Sequence, residues 1–454
     1  MAPRHVLFVT IDTLRADHLS CLGYPRPTTP KLDNLARSEG LLFPQAYAQA
    51  PHTAGSVPSF MTSTYPLMYG GEGRIDTKGL TIAECLKTQG FVTAGIHSNP
   101  FLSRAYGHDK GFDFFDDNFL FGVAKPLIFF HRALNYFRYE PYLTGKEMNH
   151  KALHWLWNQG LSVHQQGGRF FLWLHYMNVH GPYHPPAAYQ RFFMQKAVSK
   201  RERHHLWKKM IHHAADLTAE ERQTLVDLYD AEIRCMDDCF AELFDELDRM
   251  GLRKDSVIGV TADHGEEFGE HQGFFHLKQL YDEVLHVPLI LFGEEFPKGR
   301  SIPDLVRLID VAPTLFALLK VPQPPHFLGT SLVPLIDGSQ SSLGLDVFCE
   351  VIGRRNGQKT RKFALRTPKS KYIAEYDADL KVVNQELYDL VSDPRETVNL
   401  TETWPQELQT LDRRLRSYMN LAGSLETPIE IPPEQQNPVD AEVESRLRDL
   451  GYLE

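Results

Sequence analysis

The sequence is poor in cysteine, with five in 454 residues, and of these Cys235 and Cys239 alone lie near each other in the chain. This number is too small for the disulfide framework of a small secreted scaffold. Basic residues are not in excess either, because 48 lysines and arginines stand against 58 acidic residues and give a formal net charge of -10. A broad basic surface for nucleic acid is not compatible with this balance, so we expect no nucleic-acid partner.

Long apolar runs are also missing. Runs such as those at 127–130, 170–174 and 289–292 are far shorter than the ~20 residues that a membrane span needs. The chain passes from Met1 almost directly into an apolar run at 6–11 and then reaches Asp12, whereas a signal peptide needs a longer apolar stretch and a small-residue cleavage site. We therefore expect no membrane span and a cytoplasmic location.

The domain organisation is predicted from the chain length and from the order of predicted strands and helices along the chain. At ~150 residues per domain, the chain has two or three domains. Apolar strands alternate with helical stretches over residues 1–338, which predicts an α/β domain with a large, mostly parallel sheet flanked by helices. Consecutive short strands predict a smaller α+β domain with an antiparallel sheet over 339–424. The Pro- and Glu-rich residues 425–454 are predicted to form an extended arm.

Four predicted strands, at 6–11, 91–96, 170–174 and 257–261, end beside polar side chains. Their apolar residues do not alternate with polar ones, which is typical of parallel strands buried on both faces. Open α/β sheets bind ligands beyond the carboxyl ends of their strands. The polar residues that follow these strands are therefore candidates for one common site.

Asp12 follows the first of these strands, and Asp263 and His264 follow the last. Two carboxylates and an imidazole are a mixed oxygen and nitrogen ligand set for a divalent metal. Taken alone, Asp263 would rather cap a helix and His264 would rather be a hydrogen-bonded core histidine. The addition of Asp12 at a second strand end favours the metal site.

Ser56 precedes a Pro-Ser step in a segment that enters a predicted helix. A hydroxyl at a helix N-terminus lies where free N–H groups stabilise anions, and beside a divalent cation it is activated as a nucleophile. The alternative is that Ser56 or Ser59 is the N-cap of the helix, which is the commonest role of such a serine. The residues alone do not separate these alternatives.

His180 lies in a run of three histidines and an amide, at 175–184, after the strand at 170–174. The Gly-Pro step that follows it fixes the loop and presents the imidazole rigidly. Such a ring can donate to a leaving-group oxygen or to another anionic oxygen. The alternative is that His180 only braces its loop through a backbone hydrogen bond.

Several motifs follow one another in order along the chain: IDTLRADHL at 11–19, SVPS at 56–59, HGPY at 180–183, TADHGE at 261–266, GEH at 269–271, LYDE at 280–283, VPLI at 287–290, ALRTP at 364–368 and LYDL at 387–390. In this order they resemble the sulfatase family of the alkaline phosphatase superfamily over nearly the whole chain. The resemblance implies a metal-dependent ester hydrolase. The resemblance also implies a role for each residue. Asp12, Asp263 and His264 would be metal ligands, Ser56 the nucleophile, and His180 a contact to the substrate or leaving group.

The departures from the family pattern are informative. Sulfatases have a Cys/Ser-x-Pro-Ser-Arg frame whose first residue is oxidised to formylglycine, but Phe60 stands where the arginine is expected after Ser56. We therefore expect an unmodified Ser56. Thr13 and His264 replace an acid and an amide of the usual ligand set. This softer set favours Mn²⁺ or Zn²⁺ over Ca²⁺ or Mg²⁺ as the single divalent ion.

The substrate contacts also differ. Where the family has Gly-Lys-Trp-His, this chain has His-Ser-Asn-Pro at 97–100, so a lysine and a histidine that normally contact the sulfate are missing. We predict Asn99, His276 and Lys278 as substrate-binding residues, with Arg104 and Lys110 as further cations that sequence alone cannot position.

Three functions follow. The first is hydrolysis of sulfate monoesters, which is the family default. The second is a phosphodiesterase or phosphonate monoester hydrolase that uses Ser56 directly. The third is a catalytically degenerate binding protein on the same fold, which the retention of a complete residue set counts against. In each case the expected partner is a small-molecule sulfate or phosphate ester, and the sequence leaves the oligomeric state open.

Overall fold

A computed structural model describes residues 3–69, 75, 80–118, 142–276 and 278–423. The strands of these residues are β1 (His5–Ile11), β2 (Gly40–Leu42), β3 (Ala46–Tyr47), β4 (Phe91–Ile96), β5 (Phe114–Asp116), β6 (Arg169–Tyr176), β7 (Ser256–Ala262), β8 (Glu267–Phe268), β9 (Phe274–Phe275), β10 (His286–Val287), β11 (Leu289–Phe292), β12 (Arg300–Ser301), β13 (Val306–Arg307), β14 (Val347–Arg355), β15 (Gln358–Arg366), β16 (Ser370–Tyr376) and β17 (Val382–Asp389).

The helices of the same residues are α1 (Pro30–Ser38), α2 (Thr53–Thr62), α3 (Ile82–Thr88), α4 (Gly145–Trp155), α5 (Leu161–Gln165), α6 (Ala187–Gln190), α7 (Lys200–His212), α8 (Ala219–Arg249), α9 (Asp282–Leu285), α10 (Val311–Leu319), α11 (Val333–Ile336) and α12 (Pro405–Leu421). A π-helical turn at Leu156–Gly160 joins α4 to α5. None of the described helices combines the length and the apolar character of a membrane span.

The large sheet has the strand order β12-β2-β11-β7-β1-β6-β4-β5. The strands from β7 to β5 in this order run parallel, whereas β11 is antiparallel to both of its neighbours. Every residue of β1 and β7 is buried, as expected for strands covered on both faces. The predicted α/β fold with a large, mostly parallel sheet is confirmed.

The register of the sheet brings three strand ends to one level. Ile11 of β1 pairs with Tyr176 of β6 on one side and with Ala262 of β7 on the other. Asp12 and Asp263 are therefore the next residues of two adjacent strands. The site predicted from strand ends rests on this alignment.

Helix α8 is the longest covering element, with 31 residues. It begins with a capping box in which the Thr218 hydroxyl accepts from the Glu221 N–H and the Glu221 carboxylate accepts from the Thr218 N–H. One face buries residues at three- and four-residue spacings, including Leu225, Leu228 and Leu243. These buried residues continue along one uninterrupted helix, Ala219–Arg249.

The C-terminal part contains the antiparallel sheet β14-β15-β16-β17. Helix α12 packs on it and buries Leu411, Leu415 and Met419 against Phe348 and Phe363. This confirms the smaller α+β part with an antiparallel sheet. The boundaries at 338/339 and 424/425 stay predictions, and the arm predicted over 425–454 lies outside the described residues.

A buried charge cluster joins this sheet to the loops of the large domain. The fully buried Lys371 Nζ of β16 lies 2.9 Å from Asp282 Oδ1 and 2.8 Å from Glu396 Oε1. The Glu396 carboxylate also accepts the Asp282 backbone N–H at 2.7 Å. Burial opposes charge on Asp282, but Lys371 and Arg366 hold the pKa of its carboxyl below the usual range.

We predict that Lys371→Met destabilises the fold, because it leaves the buried Glu396 carboxylate without its ion-pair partner and Asp282 with Arg366 alone, at 3.5 Å. The loss in free energy of unfolding is expected to be about 3–5 kcal/mol, as for other buried pairs from which one partner is removed. Urea unfolding followed by circular dichroism measures it. Lys369→Met is the matched control, since Lys369 is exposed two residues earlier. Equal stability of the two variants would contradict the prediction.

Candidate active site

Asp12, Asp263 and His264 come together at the carboxyl ends of β1 and β7. All three side chains are fully buried, and their ligand atoms lie within 4.8 Å of one another. His264 Nε2 is 3.7 Å from Asp12 Oδ1 and 3.4 Å from Asp263 Oδ2. These are the three residues predicted to hold the metal.

The chemistry of this group fits a divalent cation. Asp12 Oδ1 and Asp263 Oδ2 are buried, and neither has a hydrogen-bond partner among the described residues. His264 Nδ1 donates to the Gly265 carbonyl at 2.9 Å, so the lone pair of the neutral ring is on Nε2, which faces the two carboxylates. Two oxygens without a donor, and a ring nitrogen whose lone pair faces them and the Thr53 hydroxyl 3.3 Å away, are an arrangement that a cation satisfies.

The pKa shifts of Asp12 and Asp263 also favour a bound cation. Burial, followed by the neighbouring Asp12 carboxylate, raises the pKa of Asp263 far above its usual range. Burial also opposes ionisation of Asp12, but the nearby His180 and His175 rings bring its pKa below the usual range. Two adjacent buried carboxylates therefore share one negative charge until a cation neutralises both.

Two residues that were not predicted as ligands orient Asp12. His175 in β6 places Nε2 3.2 Å from Asp12 Oδ2, while its Nδ1 is held by the Thr10 hydroxyl at 2.8 Å. Asn99 follows β4, and its amide donates to Asp12 Oδ2 at 2.7 Å. Asn99 was predicted to bind substrate, but in the structure it contacts the candidate metal ligand.

The hydroxyl closest to these ligands belongs to Thr53. Thr53 Oγ1 lies 3.3 Å from His264 Nε2, 3.4 Å from Asn99 Nδ2 and 3.5 Å from Asp12 Oδ2. The Ser56 hydroxyl lies one turn further along α2 and donates to the Asp263 backbone carbonyl at 2.6 Å. The structure thus brings Ser56 to the site, but engaged with the backbone, and places an unpredicted threonine among the ligands.

The start of α2 explains this placement. His52 is extended and its Nδ1 accepts the Gly55 N–H at 3.1 Å, so His52 is the N-cap and Thr53 is the first helical residue. Pro58 lies inside the helix and does not mark its start. A frame that begins at Thr53 also keeps a serine, Ser56, at its fourth position. That spacing is the sequence signal that would have found Thr53.

Phe60 lies away from the polar group. Its fully buried ring packs edge-on against Phe8 of β1, with ring centroids 5.5 Å apart. It belongs to the hydrophobic core between α2 and the sheet. In a frame that begins at Thr53, the position of the arginine is taken by Val57, which is also in the core.

His180 and His276 form the other wall of the site. Their ring centroids are 5.0 Å apart, and His276 is 4.4 Å from the His264 ring. His180 Nδ1 contacts the Gly181 carbonyl, and His276 Nδ1 contacts Glu266 Oε1 at 3.2 Å. Burial lowers the pKa of both rings, and for His276 the nearby His264 adds to this effect.

Glu266 is a residue that sequence reasoning missed. It is fully buried, accepts from the Tyr183 hydroxyl at 3.2 Å and contacts His276. Burial raises the pKa of its carboxyl well above the usual range. Its position two residues after His264 in the TADHGE motif is the signal that would have included it.

The lysine and arginine side chains predicted from sequence do not lie together at the candidate active site. Lys278 is exposed, and Arg104 is engaged with Asp117, whose Oδ2 lies 3.1 Å from Arg104 Nε. The Lys110 ammonium donates to the Ile75 carbonyl at 3.1 Å. In the described residues, histidines and an amide replace the lysines of the family pattern around the ligands.

A mostly parallel sheet with an Asp/Asp/His set and a helix-terminal hydroxyl at its strand ends is the arrangement of the alkaline phosphatase superfamily. The chain belongs to the sulfatase family, whose model matches residues 4–321. A second family model, for the C-terminal part of N-sulphoglucosamine sulphohydrolase, matches residues 269–422.

The curated relatives that the chain resembles include arylsulfatase K of Rattus norvegicus, 31% identical over 212 residues, and arylsulfatase K of Homo sapiens, 29% identical over 210 residues. The matches cover 45% of this chain, and 36% and 38% of those proteins. The chain thus spans little more than a third of the length of these relatives.

Solved structures share the fold. One, in complex with its substrate D-glucosamine-2-N,6-O-disulfate, superposes with a TM-score of 0.74 at 18% identity and covers 97% of this chain and 100% of that chain. The phosphonate monoester hydrolase of Agrobacterium radiobacter gives 0.72 at 20% identity and covers 92% and 96%. Sulfatases and a phosphonate hydrolase therefore share this architecture.

We predict that Asp263→Asn lowers the divalent metal content by one ion per chain, because it removes a charged ligand while keeping the side-chain shape. Metal is measured by plasma mass spectrometry after reconstitution and dialysis. The control is Asp255→Asn, since Asp255 lies just before β7, at the opposite end of the same strand from Asp263. Unchanged metal content in Asp263→Asn would contradict the assignment.

Proposed function

We propose that the protein is a metal-dependent hydrolase of anionic esters, with sulfate monoesters as its first substrate class. The observation that carries this proposal is the Thr53 hydroxyl, which lies at the N-terminus of α2 within 3.5 Å of Asp12 and His264. A nucleophile, a set of metal ligands and a helix terminus that stabilises anions meet at one point. Membership of the sulfatase family supports sulfate as the anion.

Phosphate and phosphonate esters are the second substrate class. The side chain at the centre of the site is a threonine, and oxidation of its secondary alcohol gives a ketone and not the aldehyde of formylglycine. An unmodified threonine hydroxyl that a neighbouring divalent ion activates can form a covalent ester with phosphorus directly. The same residue thus favours a reaction in which the nucleophile is used directly.

The nucleophile in this proposal is Thr53, while Ser56 remains the alternative from the sequence. Thr53 Oγ gives up its proton to solvent and forms a bond to the sulfur or phosphorus of the ester, and the bond to the leaving oxygen breaks. That oxygen leaves as the alcohol once it has received a proton. Water then cleaves the ester on Thr53 and regenerates the hydroxyl.

One divalent ion would be held by Asp12, Asp263 and His264, and Mn²⁺ or Zn²⁺ suits two carboxylates and an imidazole best. When bound, such an ion lowers the pKa of a neighbouring hydroxyl and neutralises charge on the ester oxygens. Asn99 and His175 hold the Asp12 carboxylate in place for it.

His180 and His276 are proposed as the groups that contact the ester. The Nδ1 atom of His180 is engaged by the Gly181 carbonyl, so a proton that reaches the leaving oxygen must come from Nε2 of a protonated ring. Binding of an anionic ester next to this buried ring favours its protonated form. Lys278 remains a candidate for the substrate entrance, since its side chain is exposed.

We predict that Thr53→Val abolishes turnover, because valine keeps the shape of threonine and lacks the hydroxyl. The expected loss in kcat is on the order of 10³-fold or more on whichever of 4-nitrophenyl sulfate, 4-nitrophenyl phosphate and 4-nitrophenyl phenylphosphonate the wild type cleaves. The wild-type ranking of these matched esters decides the substrate class. Peptide mass spectrometry is expected to find Thr53 and Ser56 unmodified.

Ser56→Ala is the matched control on the next turn of α2, and it is expected to keep kcat within about tenfold of wild type. The reverse outcome, an active Thr53→Val and an inactive Ser56→Ala, would assign the nucleophile to Ser56. A mass loss of about two hydrogens at Ser56 would point to formylglycine and contradict direct use of a hydroxyl. Absence of turnover on all three esters by the metal-loaded wild type would reject the proposed function.

We predict that His180→Ala lowers kcat on the order of 10²–10⁴-fold for esters with poor leaving groups, because their oxygen needs a proton. Activated aryl esters need none and are expected to be affected least. The measurement is kcat across a series of substituted phenyl esters with the folded, metal-loaded variant. An equal loss for all leaving groups would mean that His180 braces its loop and does not act as the acid.

A further inference from the structure

A second cluster of ligand-type side chains lies outside the candidate active site. It consists of Glu267 of β8, His271 in the following turn and Glu283 of α9, whose ligand atoms all lie within 4.8 Å of one another. The cluster borders a cleft of about 1000 Å³, which His271 and Glu283 help to line, so an ion can reach it from solvent. The proposed reaction does not use these residues.

Glu267 is the residue that the fold does not explain. It is 2% exposed, and its Oε1 is buried without a hydrogen-bond partner among the described residues. Gly273 makes room for it, because a Cβ at that position would lie 2.5 Å from Glu267 Oε2. Burial, followed by the nearby Glu283 and Glu270 carboxylates, raises the pKa of Glu267 to about 8. An unpaired buried carboxylate beside two others is unfavourable unless a cation neutralises it.

Local cations do not meet this need. The Arg15 guanidinium binds Asp17 at 2.8 Å, and its other side contacts Glu270 and the Glu266 carbonyl. Glu270 is thereby paired, while Glu267 and Glu283 share only the single His271 ring. When Glu267 is ionised, these two carboxylates carry one negative charge more than the protonated His271 ring neutralises.

His271 is oriented as a metal ligand is. Its Nε2 donates to the Glu396 backbone carbonyl at 3.1 Å. Its Nδ1 forms an ion pair with the Glu283 carboxylate. Burial lowers the pKa of the ring, but Glu283 and Glu396 raise it to about 9, so a bound cation would take the place of the Nδ1 proton. A ligating histidine commonly donates its second ring N–H to a backbone carbonyl, which fixes the tautomer and turns the other nitrogen to the ion. The stacked Tyr281 ring, 3.6 Å away between centroids, holds the imidazole plane.

We infer that Glu267, His271 and Glu283 form a second divalent-cation site, suited to Zn²⁺ or Mn²⁺ by its two carboxylates and one imidazole. The ion would be structural. It would join β8 to α9 across residues that include His276, and through the Glu396 contact it would tie this loop to the segment after β17. This inference does not depend on the proposed hydrolase function.

The test is the Zn²⁺ stoichiometry of the full chain, measured by equilibrium dialysis and plasma mass spectrometry with Zn²⁺ alone as the probe. We expect two ions per chain for the wild type and one for Glu283→Gln. Glu270→Gln is the matched control, because Glu270 lies in the same loop but pairs with Arg15, and it is expected to keep two ions. Two ions in Glu283→Gln, or one in the wild type that Asp263→Asn removes, would overturn the inference.

A second measurement uses the wild type alone and stays informative if Glu283→Gln does not fold. Nitrogen NMR of the His271 ring separates a metal-bound neutral imidazole from the protonated ring of a salt bridge to Glu283. We expect the Nδ1 signal to move when Zn²⁺ is added and to return after chelation. A ring that stays protonated at neutral pH in the presence of Zn²⁺ would overturn the second site, whether or not the protein hydrolyses esters.

Discussion

Two fully buried carboxylates, Asp12 and Asp263, lie side by side at the ends of adjacent parallel strands, and the site is arranged around their charge. His175 and Asn99 each contact one oxygen of Asp12, and the Thr13 backbone N–H lies 3.4 Å from Asp263 Oδ1. The remaining oxygens have no donor among the described residues. A divalent cation would neutralise both carboxylates without a further side chain, and in the proposed function the substrate anion would bind beside that cation.

Much of the fold could be predicted, because parallel strands that are buried on both faces consist of continuous runs of apolar residues. The strand Phe91–Ile96 has the bounds that the sequence indicates. The orientation of β11 could not be predicted, since pairing between distant segments leaves no local signal. The ion pairs of Lys371 could not be predicted either, because its two partners lie 89 and 25 residues away in the chain.

The start of α2, and with it the position of the nucleophile, is the feature that is hardest to predict from neighbouring residues alone. Proline is favoured in the first turn of a helix, so Pro58 led to a helix start near Ser56. In the structure, His52 caps the helix, Pro58 is enclosed within it, and Thr53 lies among the predicted metal ligands one turn before Ser56, whose role as nucleophile stays a prediction. The sequence could not position His276 or Lys278, and in the structure His276 lies beside His264 while Lys278 is exposed.

Because β1, β6 and β7 end at the same height in the sheet, insertions are not tolerated equally along the chain. A one-residue insertion in β1 would move Asp12 by about 3.3 Å along the strand and turn it to the opposite face of the sheet. Loops after the strand ends carry no such constraint and tolerate added length. Related chains are therefore expected to differ by insertions beyond Asp12, Asn99 and His264, while the strands before them keep their residue count and diversify by substitution alone.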